Sequence, residues 1–292
     1  MRISQRVSEH LARTIERTPL ASAPFDHLIF DRPFPRDLYA DAVARLPADA
    51  FYRELKHSDA RLPDGRSARL QFPLLAANVA RLPQPLREFW NEFVAGLMAP
   101  AVETAYKAKF RAALEGVAGR PVASIKLRPY ATLFRDLGGY KISIHPDSPH
   151  KAITTHFYLP ADERQLHLGT LFHAKNDDGS YREAVAMRFA PNSGYAFVVT
   201  PASYHSVRPM RPDDRPRNSL MVIVNFDRGP LIEGFKAARA RVRGLYDRIV
   251  GPRGARPEAG EGRYERDWQP AGAVQAASTT RSRPRYFALY KA

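Results

Sequence analysis

Apolar positions recur every three to four residues at the start of the chain. Ile3, Val7, Leu11 and Ile15 fall on one face of residues 3–18 and predict an amphipathic helix. "PFDHLIFDRPFP" then reads as a short strand bounded by prolines, and "RDLYADAVARL" as a helix with Tyr39, Ala42, Val43 and Leu46 on one side. From Pro83 to Val117 nearly every residue is compatible with helix. Leu86, Phe89, Trp90, Phe93 and Leu97 form one apolar face, and Pro100 marks a break, because its ring removes a backbone donor and crowds the preceding turn. Residues 1–120 therefore predict helical support.

The period changes at Val122. Up to Asp227 the chain runs in short β-branched and aromatic stretches, "ASIKLRPYATLF", "YKISIH", "KAITTHFYLP", "LGTLFHA", "AVAMRFA", "GYAFVVT", "YHSVRPM" and "SLMVIVNF", separated by turn clusters such as "NDDGS" and "APNSG". Many short strands at this spacing predict an antiparallel core of about eight strands over residues 121–228, of the jelly-roll kind. The expected fold class is a mainly β core with flanking helices. Beyond it, Ile232, Phe235, Val242, Leu245 and Ile249 share one side of a helix over 230–250 whose other side is basic. Residues 1–250 are thus expected to form one domain. Residues 251–292, rich in Gly, Pro, Arg and Ala, read as a flexible basic tail in which "YFALYK" could form a last short strand.

Composition narrows the chemistry. Among 292 residues there is no cysteine, which excludes disulfides, thiolate catalysis, iron–sulfur clusters and Cys-based zinc sites together, so any metal must be held by His, Asp and Glu. No window is long and apolar enough for a signal-peptide core or a membrane span, so a cytoplasmic protein with no membrane partner is the expectation. The net charge of +15 invites a nucleic-acid reading. Only nine of the 45 basic residues are Lys, however, and the arginines are spread over the whole length rather than gathered in one stripe. The charge favours an anionic substrate more than a nucleic acid.

In "GYKISIHPDSPHKAITTHFYLP", His145 and Asp147 stand at positions i and i+2 between two strand-like runs, where side chains on an extended chain point to the same side. With His205 of "VVTPASYHSVRPM" as a third ligand, two imidazoles and one carboxylate would leave the remaining metal positions open. That arrangement suits non-haem Fe(II) binding a co-substrate and oxygen together. Arg217 precedes the apolar run "SLMVIVNF", and Ser219 lies two residues on; together they could bind a carboxylate.

His-X-Asp, a distal His and then Arg-X-Ser resemble the 2-oxoglutarate- and Fe(II)-dependent dioxygenases, above all the prolyl-hydroxylase-like branch and its bacterial members. The resemblance covers roughly Tyr130 to Phe226, and the opening "PFDHLIFDRPFPRDLY" looks like the start of many bacterial members. It implies a double-stranded β-helix, His145, Asp147 and His205 as iron ligands, and Arg217, with Ser219, as the anchor of the distal carboxylate of 2-oxoglutarate. Tyr130 or Tyr140 would add a phenol to that carboxylate. The implied reaction is hydroxylation of a small molecule or peptide, with O2 consumed and succinate and CO2 released.

Other readings stand beside it. His-Pro-Asp also marks the J-domain co-chaperones, where it lies between two helices rather than two strands. His156 with Asp162 is a rival metal pair, and His150, His167 and His173 lie in the same region. Phe157, Tyr158 and Leu159 read as core or pocket wall, and Arg135, Lys141 and Arg188 as structural charges. A non-catalytic jelly-roll module for an anionic ligand, and a cupin-like metalloenzyme that does not use 2-oxoglutarate, are the alternative functions.

Overall fold

The computed structural model describes residues 1–55 and 60–227. The helix expected over 230–250, the tail and its short strand lie outside the described residues. Six helices and eleven strands follow one another in these segments: α1 (Ile3–Arg17), β1 (His27–Asp31), α2 (Arg36–Ala44), β2 (Arg53–Glu54), β3 (Arg69–Pro73), α3 (Ala76–Val79), α4 (Gln84–Leu97), α5 (Pro100–Lys109), α6 (Arg111–Ala118), β4 (Leu127–Asp136), β5 (Ile142–His145), β6 (Lys151–Tyr158), β7 (Thr170–Lys175), β8 (Tyr181–Ala186), β9 (Ser193–Val198), β10 (His205–Val207) and β11 (Arg217–Phe226). Pro100 does end one helix and opens the next, sitting in the first turn of α5, where its missing donor has no partner to lose. A further break at Phe110, between α5 and α6, has no proline and no glycine to announce it.

The strands form a seven-stranded sheet, β1-β9-β6-β11-β4-β3-β2, facing a four-stranded one, β5-β10-β7-β8. From β4 to β11 the chain passes between the two sheets so that four strands of each interleave, which is the double-stranded β-helix. Three strands were not expected in this role. β1 extends the large sheet beyond β9, while β3 pairs with β4 and carries β2 at its edge. Among the described residues no helix is long and apolar enough to cross a membrane.

Every residue of β6 is buried, because helices cover one face of the large sheet and the small sheet covers the other. Ile153 and Phe157 face α1, α4 and α5, in a core that also holds Phe34, Trp90 and Phe93. Tyr158 faces the small sheet, among Tyr140, Phe172, Tyr195 and Phe197. This second, aromatic layer between the sheets is where the chemistry sits. Gly194 of β9 permits the close pairing that carries it, since a Cβ there would lie 2.2 Å from the His156 carbonyl oxygen.

Candidate metal centre

β5 ends at His145 and β10 begins at His205, and the two residues are direct partners across the antiparallel ladder. Their ring centroids are 4.4 Å apart. Asp147 follows two residues after β5, and one ligand atom from each of the three side chains lies within 4.8 Å of the others. Among the described residues this is the one group of His, Asp and Glu able to hold a metal ion.

Backbone carbonyls fix both rings. His145 Nδ1 is 2.8 Å from the Ser143 carbonyl oxygen and His205 Nδ1 is 3.0 Å from that of Ser203. A carbonyl can only accept, so each Nδ1 carries the hydrogen and each Nε2 presents its lone pair as a ligand. Burial pushes His205 down to about 3, and His145 beside it acts in the same direction, so its ring is neutral at neutral pH.

Asp147 is held from β6. The Lys151 ammonium donates to Oδ1 at 2.6 Å and the Thr154 hydroxyl to Oδ2 at 2.5 Å. Burial alone would raise this carboxyl, but the Lys151 charge, the neighbouring His205 and His145 and the Lys151 hydrogen bond together outweigh it and keep the group ionised well below the usual carboxylate range. Lys151 is itself buried, and the ion pair gives both groups a partner inside the protein.

A second polar cluster lies at the start of β11. Arg217, Asp136 and Arg69 stand in one row across β11, β4 and β3. Arg217 donates through Nε to the Leu168 carbonyl and through Nη1 to Asp136 Oδ2, both at 2.7 Å, and its guanidinium lies 5.3 Å from the ring centroids of Tyr158 and Phe189. Arg69 Nε approaches Asp136 Oδ1 to 3.0 Å, an ion contact too poorly aligned to be a hydrogen bond. Arg69 Nη1 also donates to the Tyr140 hydroxyl.

The structure thus brings Tyr140 into the Arg69–Asp136–Arg217 cluster, but it separates Tyr130 from it. Tyr130 is on β4 six residues before Asp136, opposite Ile223, roughly 20 Å along the strand, and cannot share a carboxylate with Arg217. Ser219 lies on β11 two residues after Arg217, fully buried, and its Oγ has no hydrogen-bond partner. The remaining candidates are engaged elsewhere. His150 Nδ1 meets Ser148, His167 pairs with Asp214, His173 Nε2 lies 2.8 Å from Ser206 Oγ, and Asp162 pairs with Arg215. His-Pro-Asp is flanked by β5 and β6, as strands rather than helices.

Sequence reasoning had no access to Arg69, Asp136, Lys151 and Thr154. The only local hint was parity: Thr154, His156 and Tyr158 alternate along β6 on one face, and Asp136 ends a strand opposite Arg217.

No protein-family model matches the chain, and no curated protein does. Among solved structures it is similar to a prolyl-4-hydroxylase of Pseudomonas putida, with a TM-score of 0.48 and 15% identity over 74% of this chain and 99% of that one. It is similar also to an oxidoreductase of the 2OG-Fe(II) oxygenase family from Burkholderia pseudomallei, with a TM-score of 0.44 and 13% identity over 76% and 91%. A third is a prolyl hydroxylase from Trichoplax adhaerens in complex with a hypoxia inducible factor peptide, with a TM-score of 0.45 and 11% identity over 76% and 90%. Such values describe a similar chain path and carry no residue-level correspondence.

Proposed function

We propose that this protein is an Fe(II)- and 2-oxoglutarate-dependent oxygenase that hydroxylates a C–H bond of a small molecule or peptide. The observation that carries this reading is the convergence of His145, Asp147 and His205, with both imidazoles turned by carbonyls so that Nε2 is the ligand atom. Two imidazoles and an ionised carboxylate fit a divalent first-row metal and leave coordination positions for a chelating co-substrate and oxygen. Arg217 fits the far carboxylate of that co-substrate, and the buried, unpartnered Ser219 Oγ two residues on is a hydroxyl able to join it.

Bound together, the metal, 2-oxoglutarate and O2 would supply the oxidising chemistry, one oxygen atom going to the substrate and one to succinate as CO2 is lost. The chain's own contribution is positioning. Carbonyls of Ser143 and Ser203 orient the imidazoles, Thr154 and Lys151 orient Asp147, and Asp136 with the Leu168 carbonyl holds the Arg217 guanidinium in one plane. Tyr158, Phe172, Tyr195 and Phe197 close the space between the sheets and exclude water from it. His145 is the least buried of the three ligands and marks the side from which substrate would approach.

Anaerobic titration with Fe(II) and then 2-oxoglutarate tests this. The expected result is a weak visible charge-transfer band that requires both additions and is lost in His145→Ala. A folded protein that binds Fe(II) without the band would point instead to a cupin-like metalloenzyme independent of 2-oxoglutarate, and one that binds neither to a non-catalytic jelly roll.

A further inference from the structure

β6 carries three side chains in a row on the face toward the small sheet. Thr154 bonds to the metal-site carboxylate, and Tyr158 lies against the Arg217 guanidinium. His156 lies between them, roughly 7 Å along the strand from each. The residue is 8% exposed, and its ring stacks on Tyr195 with centroids 5.4 Å apart and planes 13° off parallel. Its Nδ1 is buried without a hydrogen-bond partner.

A second such atom lies beside it. His156 is the direct partner of Met221 on β11, and Ser219, two residues earlier on that strand and on the same face, is its diagonal neighbour. The Ser219 Oγ is likewise buried without a hydrogen-bond partner. Leaving a buried polar group unpaired costs about 1–3 kcal/mol. Two of them on adjacent strands, between a metal-ligand triad and a guanidinium, mark a place where a ligand completes the hydrogen bonding. Burial, then the nearby charge of Arg217, push the His156 imidazole well below its ordinary range, so the ring meets that ligand as a neutral group.

We propose that His156 is a binding residue for the metal-chelating 2-oxo dicarboxylate, donating a hydrogen bond from Nδ1 to its oxygens between the metal end and the Arg217 end. This rests on the oxygenase reading and adds to it a contact that neither the metal ligands nor Arg217 supply. Tyr195 fixes the plane of the ring, so the direction of the N–H is set before the ligand arrives and little ordering remains to be done on binding. A side chain with a donor near the position of Nδ1 should substitute for it, and an apolar one of similar volume should not.

The test compares wild type with His156→Leu, His156→Met and His156→Asn, each loaded anaerobically with Fe(II) and titrated with 2-oxoglutarate, and each followed without ligand by thermal unfolding. Both apolar variants are expected to bind Fe(II) as wild type does but to weaken 2-oxoglutarate by roughly ten- to a hundred-fold, the range for losing a hydrogen bond to a charged group. His156→Asn, whose amide nitrogen falls near Nδ1, is expected to keep affinity within about threefold. The ligand-free melting temperature of the apolar variants should equal or exceed that of wild type, because they remove an unpaired polar atom. The inference is overturned if wild type binds 2-oxoglutarate and the apolar variants bind it equally well, or if Asn and Leu weaken it alike. A wild type that binds Fe(II) but not 2-oxoglutarate would instead remove the oxygenase reading itself.

Discussion

The two faces of the large sheet are made from alternate residues of the same strands, yet they differ in kind. Toward the helices, Ile153 and Phe157 of β6, Leu220 and Val222 of β11, and Leu133 of β4 pack against Phe34, Trp90 and Phe93 in an almost wholly apolar core. The polar exception, Thr155, finds the Tyr106 hydroxyl at 3.0 Å. Toward the small sheet, the same strands present Thr154, His156, Tyr158, Arg217, Ser219 and Asp136 among aromatic rings. Beside the first face the Tyr52 hydroxyl is buried without a partner, whereas the second face keeps two such atoms, His156 Nδ1 and Ser219 Oγ, on neighbouring strands between the metal-ligand triad and Arg217. A sheet that is stabilised from one side can hold incomplete polar groups on the other, which is what a binding site requires.

Substitutions on each face should separate stability from binding. The largest effect is expected from Asp136→Asn, which leaves Arg217 and Arg69 in the interior without their shared carboxylate. It should cost about 3–5 kcal/mol in denaturant unfolding and also weaken 2-oxoglutarate. A cost below 1 kcal/mol would show that the row across β3, β4 and β11 is not what holds Arg217.

On the helix side, Phe157→Ala removes a ring packed against Phe34 at 4.7 Å and Phe30 at 6.0 Å. The expected loss is about 3 kcal/mol, at the low end for buried Phe→Ala because the neighbouring rings can partly close the space. Fe(II) affinity of the folded protein should not change. Weakened metal binding in the folded fraction would mean that the two faces are not independent.

Lys151→Met acts in two directions at once. Without metal, Asp147 loses its ammonium partner while the Thr154 bond remains, so stability should fall by about 1.5–3 kcal/mol. With metal, the cation takes over the role of the ammonium and no longer meets its repulsion, so Mn(II) or Fe(II) should bind more tightly than to wild type. Calorimetric titration reads the second effect, and weaker metal binding would show that Lys151 orients Asp147 more than it competes for it.

The smallest effect is a slope with pH. His205 titrates near 3 in the fold against about 6.5 in the unfolded chain, so between these values the unfolded state binds a proton that the folded state refuses. Stability of the metal-free protein therefore rises with pH across this window, is fully present above about 6.5, and is lost as pH falls toward 3. His156, also shifted down, adds in the same sense. Asp147, held low by Lys151, adds to the loss only below the ordinary carboxylate range of about 4. Each group contributes at most about 1.4 kcal/mol per pH unit. Urea unfolding at several pH values should show the slope, and His205→Gln should reduce it.

By itself the sequence determined whatever depends on local spacing. Helical periodicity located α1 and α4, Pro100 located the break before α5, and strand-like runs located β4 to β11. The one-residue gap between His145 and Asp147 placed them for a common ligand, and the two-residue step from Arg217 put Ser219 on its face. Tertiary structure decided what lies across a ladder or between the sheets. Arg69 meets Asp136 only because β3 joins the edge of β4, Tyr130 is kept from Arg217 by the register of β4 on β11, and Tyr140 reaches Arg69 from a loop. Lys151 meets Asp147, and His156 keeps a bare Nδ1, only because β6 is enclosed on both sides. Periodicity is a property of neighbours along the chain, whereas burial and the presence or absence of a hydrogen-bond partner depend on residues that the fold brings together from far away.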